Sequence, residues 1–374
     1  MARIVKSPIS VLVTPRDPNP YQELLYKAVR QPGVRVQYTD GPTRSHTVNI
    51  LMAPALLLWY RLRGFRILHI HWFFQFSLPW AGEKPWARQV MERWFRFYLL
   101  VAKLMGYEIV WTAHDLVPHD PVFNDDSGVQ DLLIARSRAI VALSNTSADE
   151  LRSLGATNVY VIPFGSYVEP YEVTEVREEA RAALGFDSRD VLVVFTGRVE
   201  RYKGVDLLLD AAGRLPTNSK IKVIVAGPCT DVAYQSEVER LAQRTDGRAV
   251  LNLRWVTDDE LGRFLRAADF AAYPFRSITN SSSIVLAESF GLPVVIPDVP
   301  MLRDVPADTA IRYTPTGDTE TDSLRAALTT AEHLSVAEYG AMSQAASTWA
   351  HGNDWSSVAQ KMTNVYKTVL GIPN

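Results

Sequence analysis

Short apolar or β-branched runs alternate along the chain with longer stretches whose apolar positions recur every three or four residues, the order that predicts α/β structure with parallel sheets. In the first half, strands are expected at Ile9–Val13, Val34–Tyr38, Ile67–His71, Glu108–Ala113, Arg138–Leu143 and Tyr160–Ile162. Helices are expected at Tyr21–Arg30 and Trp86–Met105, with another opened by Ser144 or Asn145. Ser166–Glu179 is acidic and polar and reads as a linker leading into a helix. A second series follows, with strands at Val191–Thr196, Lys220–Ala226, Val250–Leu253, Phe270–Tyr273 and Pro293–Ile296. Its helices are expected at Val205–Gly213, Asp231–Thr245, Asp258–Ala268, Ser283–Phe290, Asp322–Glu332 and Val336–Ala350, and Trp355–Leu370 reads as a last amphipathic helix. Two successive series imply two Rossmann-like domains with a cleft between them, and in such sheets ligands bind beyond the carboxyl ends of the strands. The expected limits are 1–168, 169–352 and a terminal helix over 353–371 that crosses back to the first domain.

Composition adds little to the fold and more to the partners. The 374 residues are 47% hydrophobic and 21% charged, ordinary for a globular protein, so disorder and collagen-like structure are excluded. The single cysteine, Cys229, leaves no intrachain disulfide and no cysteine zinc cluster. Met1–Ser10 has no long apolar stretch with a small-residue cleavage site, and the longest apolar run, Ile50–Tyr60, is short for a span and contains Pro54. The expectation is a cytoplasmic chain, soluble or peripheral at the inner membrane face. Residues 1–107 hold 15 Lys/Arg against 5 Asp/Glu, whereas the rest hold 24 against 36. That asymmetry hides inside a net charge of −2 and points to an anionic partner for the first portion alone.

Four places carry candidate chemistry. In Phe195-Thr196-Gly197-Arg198-Val199-Glu200-Arg201-Tyr202-Lys203-Gly204 a strand ends at a glycine, and Arg198 and Lys203 stand beside the start of a helix. Cations there suit a diphosphate, although a solvated basic turn has the same sequence. The order is not that of a Walker A loop. In Thr279-Asn280-Ser281-Ser282-Ser283, small hydroxyl residues open a helix that carries Glu288 one to two turns in. Free amides there can meet an anion, and the carboxylate can accept from ribose hydroxyls; an N-cap cluster with a surface glutamate is the plainer alternative. His114 follows a strand in Thr112-Ala113-His114-Asp115, at the end where sites form, while His69 within its strand reads as a hydrogen-bonded core residue. No zinc spacing is present, so no metal is expected. The fourth place is Trp86–Lys103, where Arg88, Trp94 and Arg96 join Arg61, Arg63 and Arg66 in a basic, aromatic region. It suits either an anionic membrane interface or an ordinary packed helix with a basic outer face. Nucleic acid is not expected, because no recognised fold motif accompanies the charge.

Together these pieces resemble the retaining glycosyltransferases of family 4, which have the GT-B fold. Gly197-Arg198 with Lys203-Gly204 resembles the family's Gly-Arg…Lys-Gly segment, whose cations hold the donor diphosphate. Val223–Gly227 with Pro228 is similar to its next strand and glycine turn, and Trp255-Val256 to the loop that touches the donor base. Asp269 and Pro274 fall at its Asp…Pro strand, and Trp355–Tyr366 at its last helix. Thr112-Ala113-His114-Asp115 resembles the segment carrying the histidine near sugar and acceptor; Ser144 and Pro163-Phe164-Gly165 match further short motifs. Glu288 resembles the second glutamate of a pair, which binds ribose. The first, eight residues earlier, is replaced by Asn280, and Thr14–Tyr21 stands where the family has a glycine-rich loop.

The resemblance implies a hexosyltransferase using a nucleotide-diphosphate sugar, GDP-mannose or a UDP-sugar. Arg198 and Lys203 would neutralise the leaving diphosphate without a metal or other cofactor. Gly197, Val256, Asn280, Ser281, Ser282, Ser283 and Glu288 would bind the donor, and His114 would meet the sugar or incoming hydroxyl. The basic aromatic region suggests a lipid-linked or saccharide acceptor in surface-polysaccharide assembly. A soluble small-molecule acceptor, a nucleotide-sugar epimerase and a non-catalytic nucleotide-sugar-binding partner stay open.

Overall fold

A strand that is apolar at every position is stable only with both faces covered, which in parallel sheets is done by the crossover helices. The computed structural model describes residues 9–17, 19–39, 43, 45–76, 84–116, 121–171 and 174–373. Met1–Pro8, Pro18 and residues 172–173, on which parts of the N-terminal, loop and linker expectations fall, lie outside them.

The first series runs β1 (Ile9–Thr14), α1 (Pro20–Val29), β2 (Val34–Tyr38), α2 (His46–Leu62), β3 (Ile67–Ile70), α3 (Pro85–Leu104), β4 (Glu108–Ala113), α4 (Asp126–Arg136), β5 (Ala139–Ala142), α5 (Asn145–Ser153) and β6 (Val159–Val161). The second runs α6 (Arg177–Ala183), β7 (Val191–Thr196), α7 (Val205–Gly213), β8 (Ile221–Ala226), α8 (Val232–Gln243), β9 (Ala249–Asn252), α9 (Asp258–Ala267), β10 (Phe270–Ala272), α10 (Ser282–Ser289), β11 (Val294–Pro297), β12 (Ala310–Tyr313), α11 (Glu320–His333) and α12 (Val336–His351). α13 (Trp355–Leu370) closes the chain.

Two units result: the described residues up to Phe164 with those from Trp355 onward, and Gly165–Asp354. The first holds a six-stranded sheet in the order β2-β1-β3-β4-β5-β6, and α13 packs on α1. The second holds a six-stranded sheet in the order β12-β11-β10-β7-β8-β9. Among the described residues every strand pair is parallel, including Val193 with Val223 and Leu68 with Ile109.

The central strands are the cores. Val11, Leu12, Val13, Ile67 and Leu68 in the first unit, and Leu192, Val193, Val194 and Phe195 in the second, have no exposed surface. Each such side chain contributes about 1.5–3 kcal/mol on leaving water. Caps set the helix starts. Asn19 accepts from the Tyr21 N–H with Pro20 in the first turn, Asp231 accepts from Tyr234, and Thr257 and Ser335 form capping boxes with Glu260 and Glu338.

Three elements differ from the sequence expectation. α2, for which no helix was expected, forms through Pro54; proline removes one N–H from the ladder, and the apolar residues Ile50, Ala53 and Leu57 bury one stripe regardless. α4 is short and weakly patterned, and is started by Asp125 accepting from Gly128. β12 is a four-residue edge strand interrupted by Arg312, whose guanidinium donates to the Leu302 and Val305 carbonyls.

Candidate active site

In the second unit the site grows out of two glycine turns at the carboxyl ends of adjacent central strands. β7 ends at Thr196 and the backbone turns at Gly197 with φ +115°; β8 ends at Ala226 and turns at Gly227 with φ +147°. Both values are open to glycine and strained for other residues. Gly197 donates to the Ala226 carbonyl at 3.0 Å, and a Cβ on Gly227 would fall on the Gly197 carbonyl oxygen. The two turns are therefore in backbone contact.

Above Gly197 two polar groups converge. A Cβ built there would lie 3.4 Å from Lys203 Nζ and 3.5 Å from Ser283 Oγ. Lys203 ends a 3-10 turn, Arg201–Lys203, closed by Gly204 at φ +69°, and a Cβ on Gly204 would strike the Pro274 carbonyl. The turn is held by Arg276, a residue that no local pattern singles out. Its backbone N–H donates to the Tyr202 carbonyl at 2.7 Å and its guanidinium to the Arg201 carbonyl at 2.7 Å. The same guanidinium grips Asp206 bidentately at 2.8 and 2.6 Å. Burial raises the Asp206 pKa, but Arg276 and Tyr234 outweigh it and hold the carboxyl below its usual range.

Ser283 arrives from α10. Ser281 caps this helix, its Oγ accepting from the Ile284 N–H at 3.3 Å, and Ser282 and Ser283 occupy the first turn with half-buried side chains. Asn280, just before the cap, is half-buried as well. The structure thus brings together Gly197, Lys203 and Ser281–Ser283. Arg198 stands apart: Val199 is buried, the alternate position faces out, and the Arg198 side chain is 57% exposed and paired with Glu200 at 3.0 Å. Val256 is half-buried in the β9–α9 loop beside Trp255, which is exposed. Asp269 is structural, since Arg177 and Arg181 bind it and it accepts the Leu192 N–H at 2.7 Å.

Glu288 is not the open carboxylate expected. α10 is buried from Ile284 to Ser289, and Glu288 has no exposed surface. Thr309 donates to its Oε1 at 2.6 Å, while Oε2 has no hydrogen-bond partner among the described residues. Burial pushes its pKa up to about 8, against smaller lowering by Thr309 and Arg312. The folded protein then keeps a proton that the unfolded chain releases near pH 4.5, so stability falls as pH rises from there to about 8. Thermal unfolding across that window is expected to show the slope, up to about 1.4 kcal/mol per pH unit, and Glu288→Gln to flatten it.

In the first unit, His114 follows β4 and is buried. Its ring stacks on Trp72 at 3.9 Å and meets the edge of Tyr21 at 4.9 Å, and its Nε2 lies 3.0 Å from His71 Nδ1. His69 is buried and hydrogen-bonded, as its place within a strand suggested. Burial holds His69 at a pKa of about 3 and His71 and His114 well below the usual imidazole value, so all three rings are neutral.

The basic aromatic region is only partly a surface. Arg61 donates to the Met105 carbonyl at 2.6 Å at the end of α3, Trp94 stacks on Tyr98 at 5.5 Å, and Arg96 pairs with Glu92 at 2.9 Å. Arg88 is half-buried, with a buried Nε. Arg63 and Arg66 are exposed, Arg63 lying 3.4 Å over the Trp59 ring. What α2 and α3 expose is largely apolar: Leu51, Leu58, Trp59, Leu62, Trp86, Phe97 and Leu104. Among the described residues no helix is long and apolar enough to cross a membrane, and no cluster of three or more His, Cys, Asp or Glu could hold a metal ion.

Known proteins share both this sequence pattern and this architecture. The sequence model of the family described as glycosyl transferases group 1 matches residues 176–349, a stretch within the second unit. A D-inositol 3-phosphate glycosyltransferase of Xylanimonas cellulosilytica is 30% identical over 311 residues, covering 74% of this chain and 69% of the relative.

The chain belongs to the group 1 glycosyl transferases.

A second relative of the same description, from Mycobacterium sp. (strain KMS), is 28% identical over 274 residues, 68% of this chain. The chain spans only 56% of that relative's length. Among solved structures, a sucrose-phosphate synthase from Thermosynechococcus elongatus aligns with TM-score 0.74 at 15% identity, covering 97% of this chain and 99% of the other. The Anabaena protein HepE, solved with UDP and glucose, aligns with TM-score 0.72 at 15% identity, covering 96% and 100%. At such identities the likeness speaks for the fold alone, and the GT-B α/β architecture expected from the sequence is the one found.

Proposed function

We propose that this group 1 protein transfers a hexose from a nucleotide-diphosphate sugar to an anionic acceptor, in the manner of family 4. The observation that carries the reading is the convergence of Lys203 Nζ and Ser283 Oγ over the side-chain-free surface of Gly197. A backbone turn without Cβ atoms, a fixed ammonium and a hydroxyl at a helix N-terminus form a receptor for a diphosphate. The sugar C1–oxygen bond to the diphosphate breaks, the acceptor oxygen bonds to C1, and the acceptor proton passes to the departing phosphate. Lys203 counters the charge that develops on that phosphate. Arg198 joins it once a ligand draws it from Glu200, an exposed pair whose rupture costs no more than about 1 kcal/mol. Asn280 hydrogen-bonds the donor sugar, Val256 borders the base, and His114 meets the sugar or the incoming hydroxyl. Glu288, buried, supports the ribose site from beneath.

The excess of 15 Lys/Arg over 5 Asp/Glu in residues 1–107 favours an anionic acceptor, and the exposed apolar side chains of α2 and α3 beside Arg63 favour one carried on a lipid surface. Peripheral docking at an anionic inner membrane face and a place in surface-polysaccharide assembly follow from that reading. The names of the curated relatives favour a second acceptor, a soluble phosphorylated cyclitol. Labelled UDP- and GDP-sugars offered with a polyprenyl-diphosphate saccharide in anionic vesicles, with inositol phosphate, or with no acceptor separate these. Acceptor-dependent label in the vesicle fraction is expected. Conversion of the donor without acceptor would mark an epimerase, and binding without turnover a non-catalytic partner.

A further inference from the structure

The turn that presents Lys203 is too short to hold itself. Arg201–Lys203 is a single 3-10 turn, closed by the Lys203 N–H on the Glu200 carbonyl at 2.9 Å and the Gly204 N–H on the Arg201 carbonyl at 3.2 Å. Hydrogen bonds of this type have poor geometry, so the turn needs support from outside. A lysine stem is flexible, and its ammonium is only as well placed as the backbone beneath it. The support comes from a distant stretch of chain, the connection between β10 and α10. There the Arg276 N–H meets the Tyr202 carbonyl at 2.7 Å, and the Arg276 guanidinium meets the Arg201 carbonyl at 2.7 Å. One residue holds two successive carbonyls of the turn.

The guanidinium is itself anchored. Arg276 Nη1 donates to the Arg201 carbonyl and also to Asp206 Oδ1 at 2.8 Å, and Nη2 donates to Asp206 Oδ2 at 2.6 Å. Asp206 stands in the first turn of α7, where Tyr234 of α8, fully buried, donates to its Oδ1 at 2.6 Å. Only a planar fork meets a carbonyl and both carboxylate oxygens this way; a lysine ammonium is a point charge without that geometry. The same connection supplies the other side of the receptor. Five residues beyond Arg276, Ser281 caps α10, and Ser283 Oγ faces Lys203 Nζ over Gly197. Arg276 thus ties the Lys203 turn, which follows β7, to the segment that leads into α10.

We infer that Arg276 is a positioning residue for Lys203: clamped on Asp206, it holds the turn so that the ammonium stands opposite Ser283 before any ligand arrives. The inference rests on the reading of this place as a diphosphate receptor.

A double-mutant cycle on Arg276 and Lys203 tests it, with UDP and GDP titrated by calorimetry as the probes. Lys203→Ala is expected to weaken the nucleotide that binds wild type by about 10–100-fold, the worth of a hydrogen bond between charged groups. Arg276→Gln is expected to weaken it about 10-fold, and by no more than Lys203→Ala does. In the Lys203→Ala background the same glutamine is expected to cost less than about 3-fold, because the group it positions is gone. An equal cost in both backgrounds overturns the inference, since a general disturbance of the unit, or a charge acting on the ligand from afar, would add to the loss of Lys203. Arg276→Lys keeps the charge without the fork and is expected to bind no better than Arg276→Gln; wild-type affinity there also overturns it. Where Arg276→Gln lowers the unfolding midpoint, adding Asp206→Asn removes the carboxylate left unpaired, and the same cycle is read from that pair. A large loss in Lys203→Ala with none in Arg276→Gln overturns this inference alone. Unchanged binding in Lys203→Ala, or no binding of either nucleotide to wild type, removes the diphosphate reading and the role of Arg276 with it.

Discussion

Lys203→Ala is expected to lower kcat/KM for the nucleotide sugar by about 100–1000-fold while leaving the unfolding curve within error of wild type. That is the range lost when one preorganised donor to a developing oxyanion is removed. Lys203 qualifies because its placement precedes any ligand. Its turn is fixed by Arg276 through two carbonyls and by the contact of Gly204 with Pro274, so no reorganisation is needed as charge develops. Its side chain is half-buried, so loss of packing is small. Initial rates with saturating acceptor, beside thermal unfolding of the same preparation, measure both halves. Full turnover would remove the diphosphate assignment. Arg198 makes a useful contrast, since it is mostly exposed and paired with Glu200.

Gly227→Ala is expected to be the most damaging single methyl group in the second unit. The backbone there has φ +147°, which costs an alanine about 1–3 kcal/mol. The added carbon also falls on the Gly197 carbonyl, a backbone atom that cannot swing away, and such overpacking costs a further 1–3 kcal/mol or so. For a unit of this size the sum lowers the unfolding midpoint by roughly 10 °C. Relief of the clash moves Gly197, so nucleotide-sugar binding falls together with stability; calorimetry with and without donor measures the two. An alanine variant as stable as wild type would mean that the two glycine turns are not in contact.

The parts of this protein legible in its sequence are those that depend on near neighbours. Continuous apolar runs such as Val191–Phe195 and Val223–Ala226 identify buried parallel strands because no alternating strand could hide both faces. Asp231 and the hydroxyl cluster around Ser281 mark helix starts because capping is a matter of three or four residues. Gly197, Lys203 and the Ser281–Ser283 cluster could be picked out as candidates, since a strand end, a glycine turn and a helix start are each local. α2 was hidden by Pro54, and β12 by its length and by Arg312, because in both cases packing against other elements outweighs a poor local signal.

Residue order alone therefore determined the two α/β series, their strands and turns, and which short segments carry cations, hydroxyls and imidazoles. Only the tertiary structure decided which of those groups meet. It set Lys203 beside Ser283 across several intervening elements, turned Arg198 toward Glu200, sealed Glu288 against Thr309, and joined His114 through His71 and Tyr26 to His69 and Tyr366. The physical reason is that burial and hydrogen-bond pairing depend on neighbours in space. A carboxylate or an imidazole has the same letter in a sequence whether water or a packed helix surrounds it, and its charge and its role follow from which.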